Sequence, residues 1–226
     1  LLVIIYYLNA EGLMIDKNVN NISPISAIII SIIFLLGSWI LYDLLCKSQL
    51  IKHTQLFTLV CFIIAVILCY LLTNIYGSRA AYIHVGAALG TIMAANVFRV
   101  IIPSQKNMVN AALNNNIPDL TEGISAKIRS IHNNYITLPV LFIMISFHYP
   151  FTYGHKYNWL LLAFISIIGA LVRHYFNLRN KRKYKTWILP IAAIGMLLLM
   201  FYTSIPKIIS SKKVENSNAE EISFFE

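Results

Sequence analysis

The stretch AAYIHVGAALGTIMAANVFRVII, residues 80–102, decides the fold class. It is apolar over the roughly 20 residues that an α-helix needs to cross about 30 Å of hydrocarbon. Gly86 and Gly90 form a G-x-x-x-G arrangement within it, which favours the close approach of a second helix. The stretch therefore predicts a transmembrane helix that packs inside a helical bundle.

Apolar runs of similar length occur on both sides of this stretch, and they predict an all-α, polytopic transmembrane helical bundle. Together with residues 80–102 they give six complete spans. A further, partial span ends near Leu8. We expect the opening LLVIIYYL to be the end of a truncated helix, because it has neither an initiator Met nor the features of a signal peptide. The other complete spans cover residues 25–45, 56–72, 134–147, 157–176 and 187–202.

Composition excludes several classes of protein. Of the 226 residues, 58% are hydrophobic and 12% are charged, which is too apolar for an ordinary soluble domain. In so apolar a chain the net charge of +9 indicates membrane topology and not nucleic-acid binding. The cysteines form no C-x-x-C, so they predict neither a disulfide framework nor a metal site; they are Cys46, Cys61 and Cys69. We therefore expect contact with a lipid bilayer and none with nucleic acid.

The basic residues predict the orientation in the membrane, because short cytoplasmic loops retain Lys and Arg. One side carries Lys47, Lys52, Lys106, Lys127, Arg129, Arg179, Lys181, Arg182, Lys183 and Lys185. The other side carries Lys17, Arg79, Lys156, Lys207, Lys212 and Lys213. We expect the first side to face the cytoplasm. Residues 1–203 then form the membrane domain, and residues 204–226 form a polar linker that leaves the membrane on the outer side.

Polar side chains in or beside the spans are the candidate functional residues, since each is costly in lipid and needs a partner or a water-lined cavity. A structural role is open for three of them. His84 could bind a neighbouring helix, Asn133 could cap a helix, and Arg173 could extend its charge to the lipid interface. The candidates are His84, Asn96, Arg99, His132, Asn133, Asn134, His148, Arg173 and His174.

Four of the histidines are expected at two depths. His84 and His148 lie near the outer face, whereas His132 and His174 lie near the inner face. At about 1.5 Å per residue, His132 and His148 are roughly 24 Å apart along one helix. Two opposed pairs on neighbouring helices are what bis-histidine haem b binding requires. Haem b is therefore one candidate cofactor.

Three runs of sequence carry a resemblance to a known family: AYIHVGAALGTIMAANVFRVIIPSQKNMVNAAL (81–113), AKIRSIHNNYITLPVLFIMISFHYP (126–150) and NWLLLAFISIIGALVRHYFNLRN (158–180). They closely resemble the membrane domain of bacterial cytochrome c-linked urate hydroxylases, the urate oxidase N-terminal family. The resemblance begins at LYDLLCKS (41–48) and reaches the final SFFE.

The resemblance implies a purine-degrading enzyme of the bacterial cytoplasmic membrane. Such an enzyme oxidises urate to 5-hydroxyisourate and passes electrons to a fused cytochrome c, so urate and cytochrome electron acceptors are the implied partners. The family pattern places further helices before the equivalent of Leu1. It places a C-x-x-C-H site for haem c after the equivalent of Glu226, on the periplasmic side.

The roles of individual residues are hypotheses within that resemblance. Urate is a planar, weakly acidic purine, so its site needs cationic or amide donors for its oxygens and a base that takes a proton. Two other functions stay open: a haem b-binding electron-transfer subunit without a substrate site, and a non-redox transporter or anchor. The candidates are Arg99 or Arg173 for the anion, Asn96, Asn133 and Asn134 for the carbonyl oxygens, and His84 or His132 for proton transfer.

Overall fold

The computed structural model describes residues 2–204, except for the side chain of Phe147. Every regular element in this part of the chain is helical, which confirms the all-α prediction. A π-helical turn, Val3–Tyr7, comes first. Leu1 and all but the first residue of the linker predicted at 204–226 lie outside the described residues. The helices are α1 (Ala10–Leu13), α2 (Pro24–Lys47), α3 (Thr54–Thr73), α4 (Ser78–Asn96), α5 (Ile102–Leu113), α6 (Leu120–Ile145), α7 (Pro150–Tyr153), α8 (Asn158–Asn180) and α9 (Ile188–Ser204).

Four helices are long and apolar enough to cross a membrane: α2, α3, the continuous helix Ser78–Leu113 that includes α4 and α5, and α8. They indicate a multi-pass membrane protein. The helix α9 is apolar but shorter. The helix α6 is long enough, but its charged, amide and imidazole side chains make it more polar than the other four. Four of the six predicted spans are therefore supported, and those over α6 and α9 stay predictions.

The start of α6 corrects the sequence analysis. The span expected at residues 134–147 overlaps a helix that begins at Leu120 and ends at Ile145, before the 3₁₀ segment Ser146–His148. Asp119 caps this helix, because its Oδ1 accepts a hydrogen bond from the backbone N–H of Thr121 at 2.8 Å. Asn133 lies within the helix and is not a cap. Arg129, which the sequence predicts in a cytoplasmic loop, is also within the helix and is only 4% exposed. The first half of α6 is amphipathic, with apolar residues on one face and polar residues on the other, so its mean hydropathy is too low to indicate a membrane span.

A π-helical segment, Val97–Ile101, joins α4 to α5 without a break. The N–H of Ile102 donates to the carbonyl of Val97, five residues earlier, as expected for a π turn. Pro103 follows in the first turn of α5. A proline inside an α-helix clashes with the carbonyl four residues before it, which here is Arg99. The wider turn therefore lies where the clash would otherwise occur.

The helix α4 lies at the centre of the bundle and packs against α2, α3 and α6, while α6 also packs against α8. The approach of α4 to α6 is closest at Gly86. A Cβ atom on Gly86 would lie 2.6 Å from Cγ2 of Ile143, whereas one on Gly90 would meet nothing within 4 Å. Close helix packing at the G-x-x-x-G arrangement is therefore confirmed for Gly86 and not for Gly90.

Two apolar clusters fill the bundle at different depths. One surrounds Tyr76 and Tyr82 near the start of α4, and the other contains Tyr42 and Phe57 near the end of α2 and the start of α3. Large apolar side chains also point outward, for example Ile33, which is 65% exposed. An apolar core and an apolar exterior together suit a bundle that is surrounded by lipid.

Candidate functional site

A partly buried ion pair joins α2 to α6. Arg129 Nη2 lies 2.7 Å from Asp43 Oδ1, and Lys47 Nζ lies 2.7 Å from the other carboxylate oxygen. The guanidinium carbon of Arg129 also lies 5.1 Å from the ring centroid of Tyr42, a cation–π distance. Loss of Asp43 would leave the buried Arg129 without its counter-charge, so the pair holds α2 against α6.

Asn96 extends this network to α4. Arg129 Nη1 donates to Asn96 Oδ1 at 3.0 Å. The amide nitrogen of Asn96 donates to Asn133 Oδ1 at 2.8 Å and to the hydroxyl oxygen of Tyr42 at 3.3 Å. Asn133 Nδ2 in turn donates to the carbonyl of Met93 at 3.0 Å. Asn96 is fully buried, so these hydrogen bonds replace the water that its amide loses on burial.

His132 completes the network on the far side of Tyr42. Its Nδ1 lies 2.8 Å from the Tyr42 hydroxyl. Its ring stacks on Phe57 of α3, with centroids 5.0 Å apart and planes inclined by 12°. Side chains from α2, α3, α4 and α6 therefore meet here. We call the polar members the inner polar cluster: Tyr42, Asp43, Asn96, Arg129, His132 and Asn133.

A cavity of about 200 Å³ adjoins the inner polar cluster at Arg129. An arginine has five N–H donors. Arg129 uses one on Asn96 and one on Asp43, and within residues 2–204 the others make no hydrogen bond. The cavity is smaller than the roughly 300–1,000 Å³ of pockets for drug-sized ligands, so it suits a small ligand. Its other lining residues are Cys46, Ile51, Thr121, Ile124, Ser125 and Ile128.

A second polar cluster joins α6 to α8. Asn134 Nδ2 donates to Asn177 Oδ1 at 3.0 Å, and Asn134 Oδ1 accepts a hydrogen bond from Arg173 Nε. One residue further along α6, the Tyr135 hydroxyl lies 2.8 Å from His174 Nδ1. Arg173 therefore binds an amide of the protein itself, which a charge placed only at the lipid interface would not do.

His84 lies in the first half of α4 and has no exposed surface. Its Nδ1 is 2.7 Å from the carbonyl of Ala80, and since a carbonyl only accepts, Nδ1 carries the proton. Tyr76 stacks on the ring at a centroid distance of 4.7 Å, and Tyr6 meets it edge-on at 6.3 Å. The Nε2 atom is buried and makes no hydrogen bond within residues 2–204. His84 therefore presents an unprotonated nitrogen to an aromatic surround.

The profile of the urate oxidase N-terminal family matches residues 1–204, a range that includes both polar clusters and His84. The chain belongs to this family. The match confirms the family resemblance found in the sequence. No curated protein and no solved structure matches the chain.

Most of the site residues predicted for this urate oxidase N-terminal domain fall into two groups. The inner polar cluster contains Asn96, His132 and Asn133. The second polar cluster, between α6 and α8, contains Asn134, Arg173 and His174. His84 is separate from both.

Two predicted residues join neither group. Arg99 is exposed and lies over the ring of Trp39, with its guanidinium carbon 5.2 Å from the centroid. His148 is exposed in the short 3₁₀ segment Ser146–His148. Neither residue is part of the hydrogen-bonded clusters between α4, α6 and α8.

Three members of the inner polar cluster are not among the residues predicted from the sequence: Tyr42, Asp43 and Arg129. Asp43 had a detectable signal, because a carboxylate inside an apolar run needs a partner. Arg129 had another, because it precedes His132 and Asn133 by three and four residues and so shares their helix face.

Whether the four predicted histidines can bind haem b depends on the hydrogen bonds that their ring nitrogens already make. An axial histidine binds iron through one bare nitrogen while the other donates its N–H to an acceptor. His84 fits this requirement. His132 and His174 instead have a tyrosine hydroxyl at Nδ1, and His148 is exposed whereas His84 is enclosed. The pairing of these histidines around haem b stays a prediction, and no step is assigned to haem b.

Proposed function

We propose that this chain is the membrane part of a bacterial enzyme that oxidises urate to 5-hydroxyisourate and passes the electrons to a fused cytochrome c. The supporting observation is the buried Arg129 at the wall of a small cavity, with N–H donors that make no hydrogen bond within residues 2–204. Planar cationic forks bind planar anions with oxygen acceptors. Within the urate oxidase N-terminal family, urate is the ligand of that class.

The proposed reaction sets what the residues must do. Water adds its oxygen to C5 of urate, and two protons and two electrons leave, which balances the formation of 5-hydroxyisourate. A c-type cytochrome supplies the oxidising equivalents. Arg129 holds the anionic ring, while Asp43 and Asn96 fix the guanidinium in position. Fixed donors of this kind lower the cost of orienting the substrate.

The test is urate-dependent cytochrome c reduction by membranes that contain the intact protein, with Arg129→Met compared with Lys127→Met. Both changes remove one positive charge from α6, but Lys127 is exposed and Arg129 is buried. A hydrogen bond to a charged group contributes about 1.5–3 kcal/mol, so Arg129→Met should lower kcat/KM by roughly 10–100-fold. Lys127→Met should stay within about twofold, as expected for an exposed substitution.

Arg129→Lys separates charge from geometry in the same assay. It keeps the positive charge but loses the planar fork, so we expect it to lie between the wild-type protein and Arg129→Met. Equal turnover by Arg129→Met and Lys127→Met, with both proteins folded to the same extent, would contradict the assignment. Thermal unfolding of each purified variant provides the folding control.

The proposed fusion to cytochrome c has its own test in the gene. A C-x-x-C-H codon pattern in frame shortly after the codon for Glu226 would support it. A stop codon directly after that position would refute the fusion and leave a separate cytochrome as the electron acceptor.

A second candidate function, a haem b-binding electron-transfer subunit, is favoured by His84 alone. Its bare, buried Nε2 has the chemistry of a ligating nitrogen. A pyridine haemochrome spectrum of the purified protein tests this function directly. A b-type spectrum that disappears in His84→Ala would support it, and the absence of a b-type spectrum in the wild-type protein would exclude it.

A further inference from the structure

The inner polar cluster fixes the direction of its own hydrogen bonds. Arg129 can only donate, so the Asn96 atom 3.0 Å from it must be the oxygen. The Met93 carbonyl can only accept, so the Asn133 atom 3.0 Å from it must be the nitrogen. Both constraints give the same result for the bond between the two amides: Asn96 Nδ2 donates to Asn133 Oδ1 at 2.8 Å.

This direction determines the proton position on His132. Asn96 Nδ2 also donates to the Tyr42 oxygen at 3.3 Å. A phenol has one proton. Two acceptors lie beside it, the Cys46 sulfur and His132 Nδ1 at 2.8 Å, and because a thiol sulfur is the weaker acceptor, Tyr42 donates to Nδ1. The neutral ring of His132 therefore carries its own proton on Nε2. Within residues 2–204 that Nε2–H makes no hydrogen bond.

His132 lies one helical turn beyond the residues of α6 that line the cavity. Ile124 and Ile128 line the cavity, and His132 follows at the next four-residue step along the same face of α6. Phe57 stacks on the ring and holds its plane, so the direction of Nε2–H is set by packing as well as by Tyr42.

We propose that His132 donates a hydrogen bond from Nε2–H to an oxygen of urate, and that Tyr42 is a positioning residue that fixes this tautomer. The inference rests on the proposed function. It changes the role expected for His132, because a nitrogen that already carries a proton does not act as a base. His84 has the reverse tautomer, with its proton on Nδ1 and a bare Nε2.

The tautomer is measured without turnover, by ¹⁵N NMR of the intact, histidine-labelled protein in detergent. The His132 signals are assigned by their loss in His132→Gln. We expect a protonated Nε2 and an unprotonated, hydrogen-bonded Nδ1 in the wild-type protein, and a mixture of the two tautomers in Tyr42→Phe. Urate should shift the Nε2 signal of His132. A neutral His132 with its proton on Nδ1 in the wild-type protein would overturn the inference.

Kinetics separate a donor from a base. The side-chain amide of glutamine places an N–H near the position of Nε2, so His132→Gln should keep most of the activity that His132→Ala loses. For Tyr42→Phe we expect KM for urate to rise about tenfold with kcat within about twofold, since a neutral hydrogen bond is of this order. Equal loss of kcat in His132→Gln and His132→Ala would identify a base and overturn the inference.

The proposed function can fail separately. If the wild-type protein shows the Nε2–H tautomer but neither urate binding nor urate-dependent cytochrome reduction, the substrate assignment is overturned with the proposed function. The effect of Tyr42→Phe on the tautomer would then still show whether Tyr42 positions the ring.

Discussion

Replacing Gly86 by alanine should destabilise the bundle, and replacing Gly90 should not. The added Cβ at Gly86 would lie 2.6 Å from Ile143 Cγ2, whereas carbon atoms in contact are about 3.5–4.0 Å apart. One of the two side chains must therefore move by about 1 Å. Ile143 is β-branched, only 2% exposed and held in α6, so it has little freedom to move.

The magnitude follows from comparing the two variants. Overpacking of a filled core costs about 1–3 kcal/mol. The gain in helix propensity from glycine to alanine, about 1 kcal/mol, applies to both positions and cancels in the comparison. At roughly 2–4 °C per kcal/mol for a chain of this size, Gly86→Ala should unfold about 2–12 °C below Gly90→Ala.

Thermal unfolding of the purified protein in detergent, followed by tryptophan fluorescence, measures this difference. Gly90→Ala serves as the control because it lies one turn further along the same helix and its Cβ meets nothing within 4 Å. Equal Tm values for the two variants, or a higher Tm for Gly86→Ala, would show that α4 and α6 do not approach at Gly86 as described.

Three further predictions concern other parts of the chain. Arg129→Met should cost about 1–3 kcal/mol of unfolding free energy because it removes the hydrogen bonds to Asn96 and Asp43, although Lys47 still pairs with Asp43; a double-mutant cycle with Asp43→Leu in SDS unfolding that shows no coupling would refute the pair. Hydrogen bonds from the hydroxyl and amide of the threonine two positions later hold the pKa of Asp119 below its usual range. This contribution to stability is present above the pKa of Asp119 in the unfolded chain and is lost as pH falls through its lower pKa in the folded protein. Between roughly pH 5 and pH 2, the Tm of the wild-type protein should therefore fall more than the Tm of Asp119→Asn. Equal falls in Tm for the two proteins would refute this. Alkaline phosphatase fused after Ser204 should be active and after Leu113 inactive, and the reverse pattern would invert the proposed orientation.

Hydropathy was sufficient to predict the helices that face lipid on much of their surface. It succeeded for α2, α3, α4 and α8 because the hydrocarbon thickness sets both the length and the composition of a spanning helix. It failed for the start of α6, where helix formation depends on a cap at Asp119 and on an amphipathic pattern.

The partners of the polar residues could not be predicted from the sequence. Asn133 and Asn134 look equivalent in sequence, but they lie about 100° apart around α6, so one binds α4 and the other binds α8. Arg129 could mark the cytoplasmic side or enter the bundle, and only the position of Asp43 on another helix decides between these. Partners 86 residues apart in the chain have no local signal that identifies them.

The π turn after Asn96 gives α4 and α5 one residue more than a regular helix would need over the same path. Deleting a single residue from Val97–Ile101 would remove this extra residue and restore a regular helix over the same path, so α5 would keep its face toward α6. The contact that would persist is the one between α5 and α6, where the Met108 sulfur lies so close to Gly123 that a Cβ there would be 2.9 Å from it. The cost would fall on Pro103, whose ring would meet the carbonyl four residues before it, so a one-codon deletion at this point should kink the helix without turning α5 away from α6.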